Sequence, residues 1–155
     1  MIKGLLKDRG GVFELPIQYV IAAIVALIVI SLIFVSAQKM YRDYQLKEAI
    51  KEVDKIVKEA ELMYSTGDDG TKITLEIDIP SGVEKIVFGS SEKILAGNYY
   101  IIMKWGEKWD GFAKNVKFTG EDGGQVVIYG NTKEVVLYLF KNGEGEKYVK
   151  ISPTG

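Results

Sequence analysis

The chain has no cysteine and no histidine among its 155 residues. That excludes disulfides, thiolate nucleophiles, Cys/His zinc sites and the commonest general base. No asparagine opens an N-x-Ser/Thr glycosylation acceptor, since Asn98, Asn115, Asn131 and Asn142 all lack the third residue. An excess of one charge is missing too. Twenty basic residues face 21 acidic ones for a net charge of −1, so no overall field directs the chain to nucleic acid. There is no phosphate-cradling glycine loop, nucleophile elbow or paired-carboxylate arrangement, and neither an internal repeat nor a low-complexity linker. An enzyme would have to rest on scattered carboxylates, lysines or serines. The expectation is therefore no catalytic residues, no cofactor and no metal. The many Lys and Glu residues with few Gln would suit a thermophile.

What the chain does have is a run without charge. Residues 15–38 read LPIQYVIAAIVALIVISLIFVSAQ, 24 residues with no charged side chain. A segment of that length spans a ~30 Å hydrocarbon layer at ~1.5 Å per residue, and a helix in a soluble core would be apolar on one stripe only. The flanks differ mildly. Lys3, Lys7 and Arg9 against Asp8 give the first ten residues +2, leaving −3 for the remainder of a chain that totals −1. Lys39 and Arg42 with Asp43 follow the run. The basic lead favours an N-in orientation. A secretory signal peptide places its small residues after the apolar core; here Gly10 and Gly11 come before it.

The inverted order resembles the class III signal of archaeal type IV pilins and related archaellum-like surface proteins. It consists of a charged pair, Asp8 and Arg9, then Gly10 and Gly11, then acidic Glu14 ahead of the apolar run. The resemblance covers the motif over residues 7–40. It implies that a prepilin peptidase cuts after Gly10, that residues 1–10 are a leader, and that the apolar helix stays in the mature protein. It also implies assembly with identical or related subunits into an extracellular filament, with the membrane holding the precursor. A cut after Gly10 puts Glu14 fourth in the mature chain, one short of the family's fifth position; a cut before Gly10 would restore the spacing but leave Arg9 at the scissile bond.

Glu14 has two readings. Near a helix start its carboxylate complements the positive end of the helix dipole, worth about 0.3–1 kcal/mol. Pro16 fits that start, because proline's missing N–H costs nothing in a first turn. Alternatively Glu14 pairs with the freed α-amine of a neighbouring subunit, since an unpaired charge at bilayer depth is expensive. Either way the residues before Pro16 are expected to be uncoiled, and the helix to run over residues 17–65.

From residue 39 to 66 there is no glycine or proline. Leu46, Ile50, Val53, Val57, Ala60 and Tyr64 recur at helical spacing, flanked by Ala49, Ile56 and Met63, opposite charge pairs such as Glu48–Lys51 and Glu52–Lys55. The turn cluster at residues 65–70 ends the helix. Beyond it the period switches to two. Ile73, Leu75, Ile77 and Ile79 form the first of seven expected strands, the others at residues 85–88, 98–105, 116–119, 125–129, 134–140 and 147–151. The fold class is α+β: a long N-terminal helix, transmembrane over 11–38 and amphipathic over 39–65, packed on an antiparallel sandwich or curved sheet over 66–155.

Two stretches outside the helix invite chemistry. Asp68-Asp69-Gly70 and Glu121-Asp122-Gly123-Gly124 are oxygen-rich but lack EF-hand spacing, and turn chemistry explains them equally well. Residues 104–112 gather both tryptophans, which would anchor a loop to the core or a subunit seam, or stack on a sugar. The leading function is a pilin-like structural subunit; the alternative is a single-pass anchored surface module for adhesion or ligand binding. Replacing Gly10 with a bulky residue should block processing and leave a full-length membrane-bound precursor. The check is terminal sequencing of the cell-surface protein; a chain beginning at Met1 or Ile2 rejects the pilin-like signal.

Overall fold

The computed structural model describes residues 8–90 and 96–154, with side chains from residue 16 onward. α1 runs over Asp8–Thr66, and after Pro16 no glycine or proline interrupts it. It begins earlier than expected: Pro16 lies inside the helix, and residues 8–15 before it are helical. Proline's fixed φ is itself helical, but the residue cannot donate to the carbonyl four residues back, that of Val12, and its ring crowds that carbonyl. The other end is as expected. The Thr66 hydroxyl donates back to the Leu62 carbonyl at 2.7 Å, and the Gly67 N–H closes on Met63 O at 2.8 Å. A Cβ at Gly67 would sit 2.5 Å from that carbonyl and 3.0 Å from the Leu139 side chain. Only glycine fits where the helix turns into the sheet.

The chain forms two compact units, Met1–Tyr41 and Arg42–Gly155. In the second, eight strands follow the helix among the described residues: β1 (Lys72–Glu76), β2 (Val83–Phe88), β3 (Asn98–Met103), β4 (Lys108–Phe112), β5 (Phe118–Thr119), β6 (Val126–Tyr129), β7 (Glu134–Lys141) and β8 (Lys147–Thr154). They make two four-stranded sheets, β1-β7-β8-β5 and β4-β3-β2-β6. All pairings are antiparallel except β5 with β8, which run parallel through Phe118 and Val149. The fold is the expected α+β arrangement of a long helix packed on sheets, with one parallel edge that alternation alone does not reveal.

The strand missing from the expectation is β4. Its sequence, Lys-Trp-Asp-Gly-Phe, carries two turn-favouring residues. Gly111 stands directly across from Tyr99, and a Cβ there would lie 2.4 Å from the tyrosine ring. The glycine makes room for a ring; it does not turn the chain. The turn is one step earlier, at Lys104–Glu107, where Gly106 takes φ +88° and the Met103 N–H donates to Glu107 O at 2.8 Å.

The helix stripe and the inner residues of both sheets share one core. Ala49, Val53, Ile56, Val57, Ala60 and Met63 pack with Ile86, Phe88, Ile101 and Met103 of one sheet and Leu137, Leu139, Val149 and Ile151 of the other. The stripe is rotated from the expected one. Val53 and Ala60 of the expected stripe share its centre with Ala49, Ile56 and Met63, while Leu46, Ile50 and Tyr64 form a half-buried rim. Burying Val53, Ile56, Val57 and Met63 contributes roughly 6–12 kcal/mol at ~1.5–3 kcal/mol each, comparable to a domain's whole stability of ~5–15 kcal/mol. A chain starting at Gln38 should therefore be folded and soluble, whereas one starting at Gly67 should aggregate or unfold. Two-state melting of the shorter chain at the same temperature as the longer one would contradict this.

Candidate assembly or membrane helix

Residues 16–41 are exposed at every position. The exposed side chains include Ile17, Ile21, Val25, Val29, Ile33, Ile30, Phe34 and Val20, which point to all sides of the helix. A continuous apolar surface of this kind does not persist in water. The segment is long and apolar enough to cross a membrane, a property it shares with signal sequences. Its two serines are already satisfied: Ser31 donates to Leu27 O at 2.7 Å and Ser36 to Leu32 O at 2.9 Å. Each bond closes within the helix, so neither hydroxyl needs water, which is the condition for burial in hydrocarbon or among like helices.

Asp8, Arg9, Gly10, Gly11 and Glu14 lie on the backbone of α1, and their side chains fall outside the described residues. The structure therefore gives positions for these residues and no contacts. Pro16 is exposed and within the helix.

In the second unit the helix is held by polar clasps to the β1–β2 connection. Gln45 is buried, and its side-chain oxygen accepts the Gly82 N–H at 2.9 Å. Glu52, 8% exposed, accepts from Lys55 Nζ at 2.8 Å and from the Asp78 N–H at 3.0 Å. Burial pushes the Glu52 carboxyl up. The Lys55 hydrogen bond, the Asp78 N–H and the charges of Lys55 and Lys51 together outweigh it and hold the group below its ordinary value of 4.5. Lys147 Nζ reaches the Tyr64 carbonyl at 3.4 Å from β8. The sequence reading missed Gln45 and treated Glu52 as part of a solvated face. The available signal was position: Gln45 lies four residues before Ala49 and Glu52 three after it, on the buried stripe.

The tryptophans anchor the β3–β4 hairpin. Trp109 packs against Tyr99 at 5.9 Å between ring centroids, and both tryptophans pack on the core. In the acidic turns, Asp69 accepts the Lys141 N–H at 3.0 Å and Glu121 accepts the Ser152 hydroxyl at 3.1 Å, so one acid from each serves the chain itself. No protein-family model, curated protein or solved structure matches this chain.

A carboxyl held below its ordinary value adds stability above that value and loses it as pH falls through the folded one. Glu52→Gln, which keeps an acceptor for Asp78 but loses the charge, should melt below the wild type at neutral pH. The gap should close as the pH drops below about 4.5. Glu52→Ala strands the Asp78 N–H and should cost about 1–3 kcal/mol. A gap independent of pH would show that the charge at Glu52 contributes nothing.

Proposed function

We propose that this chain is a structural subunit of an extracellular type IV pilus-like filament, cut before its apolar helix and assembled through helix bundling. The observation that carries the reading is a helical segment apolar on all sides, set behind Asp8-Arg9-Gly10-Gly11 and ahead of a domain with its own core. Helices of this kind are buried equally well by lipid and by copies of themselves. One segment can therefore anchor the precursor and later form a filament interior. The partners are a prepilin peptidase, the membrane, and identical or related subunits; no cofactor or metal is required. The protein is held in the cell membrane before assembly and lies at the cell surface after it.

Glu14 is the proposed assembly residue. On a helical backbone Gly11 and Glu14 are three positions apart, on one face. After a cut behind Gly10 the new amine thus has an acid within its own chain as well as on an axially displaced neighbour. A carboxylate in hydrocarbon needs a cation or a proton. Glu14→Ala should leave export, cleavage and folding of the β-rich domain intact while sharply reducing filaments. Electron microscopy of shed filaments, beside a blot of processed membrane-held subunit, provides the test. Normal filaments from the variant would mean that Glu14 acts only on the helix dipole or within its own chain.

A further inference from the structure

β1 is an edge of its sheet: β7 lies on one side, and no strand among the described residues lies on the other. The Leu139 N–H donates to Thr71 O and the Ile77 N–H to Lys133 O, each at 2.8 Å. The register between them is unbroken, so residues 73 and 75 also turn their backbone groups toward β7, while 72, 74 and 76 turn theirs away. No proline, bulge or inward-pointing charge, the usual protections of an edge, interrupts the strand. The Glu76 carbonyl receives Lys55 Nζ, but at 3.5 Å, and that amine is already paired with Glu52 at 2.8 Å. The inner side chains of β1, Ile73 and Leu75, are only half-buried although they pack on the core.

The charges of the strand decide what can pair there. Lys72 and Glu76 are exposed and stand symmetrically about Thr74. Edge charges ordinarily repel a second strand, but a copy of β1 laid antiparallel can meet each of them with the opposite sign. Three self-pairings bring the outward backbone groups face to face, centred on Lys72, Thr74 or Glu76. The first sets lysine against lysine and the third glutamate against glutamate, and like charges directly opposite are destabilising. The second sets Lys72 against Glu76 at both ends and opposes Ile73 to Leu75 on the inner face. Hydrogen-bond direction, charge and apolar cover thus select one register. β4, an edge of the other sheet, fails the same comparison, since pairing centred on its middle residue opposes Asp110 to itself.

We propose that β1 is a self-recognition edge, through which a second copy of this chain joins its four-stranded sheet to the first about a two-fold axis at Thr74. The pairing goes beyond the filament reading and does not depend on it. Gln45, Glu52 and Lys55 meet the following chain at Gly82, Asp78 and Glu76 in that order, so β1 runs against the helix. Pairing therefore sets the helices of the two second units in opposite directions. Subunits bundled in one direction do not meet in this way; subunits facing one another do. Five residues a side make a weak contact singly, and an array of copies multiplies it.

The chain has no cysteine, so one introduced thiol reports the contact. Across a hydrogen-bonded antiparallel pair the Cα atoms lie ~5.5 Å apart, within the ~4.4–6.8 Å that a disulfide spans. The test uses the full chain in detergent with a mild oxidant. Thr74→Cys should form a disulfide dimer at least about tenfold faster than Asn115→Cys, an exposed residue after β4, because a paired thiol reacts at a raised effective concentration. Adding Lys72→Glu to Thr74→Cys places like charges at both ends of the pair and should slow the dimer by about tenfold. Adding Glu76→Lys instead should do the same, and the two reversals together should restore the rate. All three side chains are exposed. Thr74→Cys linking no faster than Asn115→Cys overturns the proposal. Linking that ignores the single reversals, or that the double reversal does not restore, overturns the register and the pairing with it. Neither result bears on the filament, which Glu14→Ala tests separately.

Discussion

The second unit is organised around the burial of one helical stripe. Ala49 and Ala60, both fully buried, keep the stripe narrow, and Val53, Ile56 and Met63 fill the space between the sheet interiors. Close packing of this kind cannot be separated into a helix that is stable alone and a sheet that is stable alone. The same α1 that completes the core here is uncovered on every side from residue 16 to 41. The change comes from composition alone. Where charged residues alternate with apolar ones a stripe exists and can be buried; where every residue is apolar no single face is preferred, and the whole circumference needs cover.

Polar clasps set where along the helix the domain sits. Apolar packing tolerates sliding, because one hydrophobic contact can replace another. The bonds from Gln45 to Gly82 and from Glu52 to Asp78 do not, because a one-residue shift would leave the buried Gly82 N–H without an acceptor and part Glu52 from the Asp78 N–H. They lie seven residues apart, two helical turns, and so fix both axial position and rotation. This accounts for a carboxylate at a site where burial alone disfavours it.

Most of the architecture was legible in the sequence because period and composition report it directly. The charge-free run, the switch to a stripe after residue 38, and the switch to alternation after the 65–70 turn follow from the environments that each face meets. What was not legible depended on partners distant in sequence. Gly111 reads as a turn residue until Tyr99 is seen across from it. The parallel pairing of β5 with β8 joins segments some thirty residues apart, through two residues of β5. The stripe's true centre was hidden because Leu46 and Ile50 are as apolar as Ile56, and only the sheets decide which side is covered. For the candidate site the balance is reversed. Its residues at 8–14 were legible only as a motif, and position on a helix is all that the fold adds to them.

The sheet order β1-β7-β8-β5 places β8, the last strand among the described residues, inside the sheet, with β7 on one side and β5 on the other. Val149 and Ile151 on that strand are fully buried beside the helix stripe. The core therefore cannot close while residues 147–154 are still being made or threaded. At ~5–20 residues per second, the roughly 90 residues after the helix take on the order of 5–20 s to synthesise. Through that interval the stripe at residues 49–63 has no sheet to cover it, although the apolar segment ahead of it can already enter a bilayer. The order of events is thus written into the topology: the helix is complete long before its cover, and the domain locks onto its stripe only when the final strand arrives.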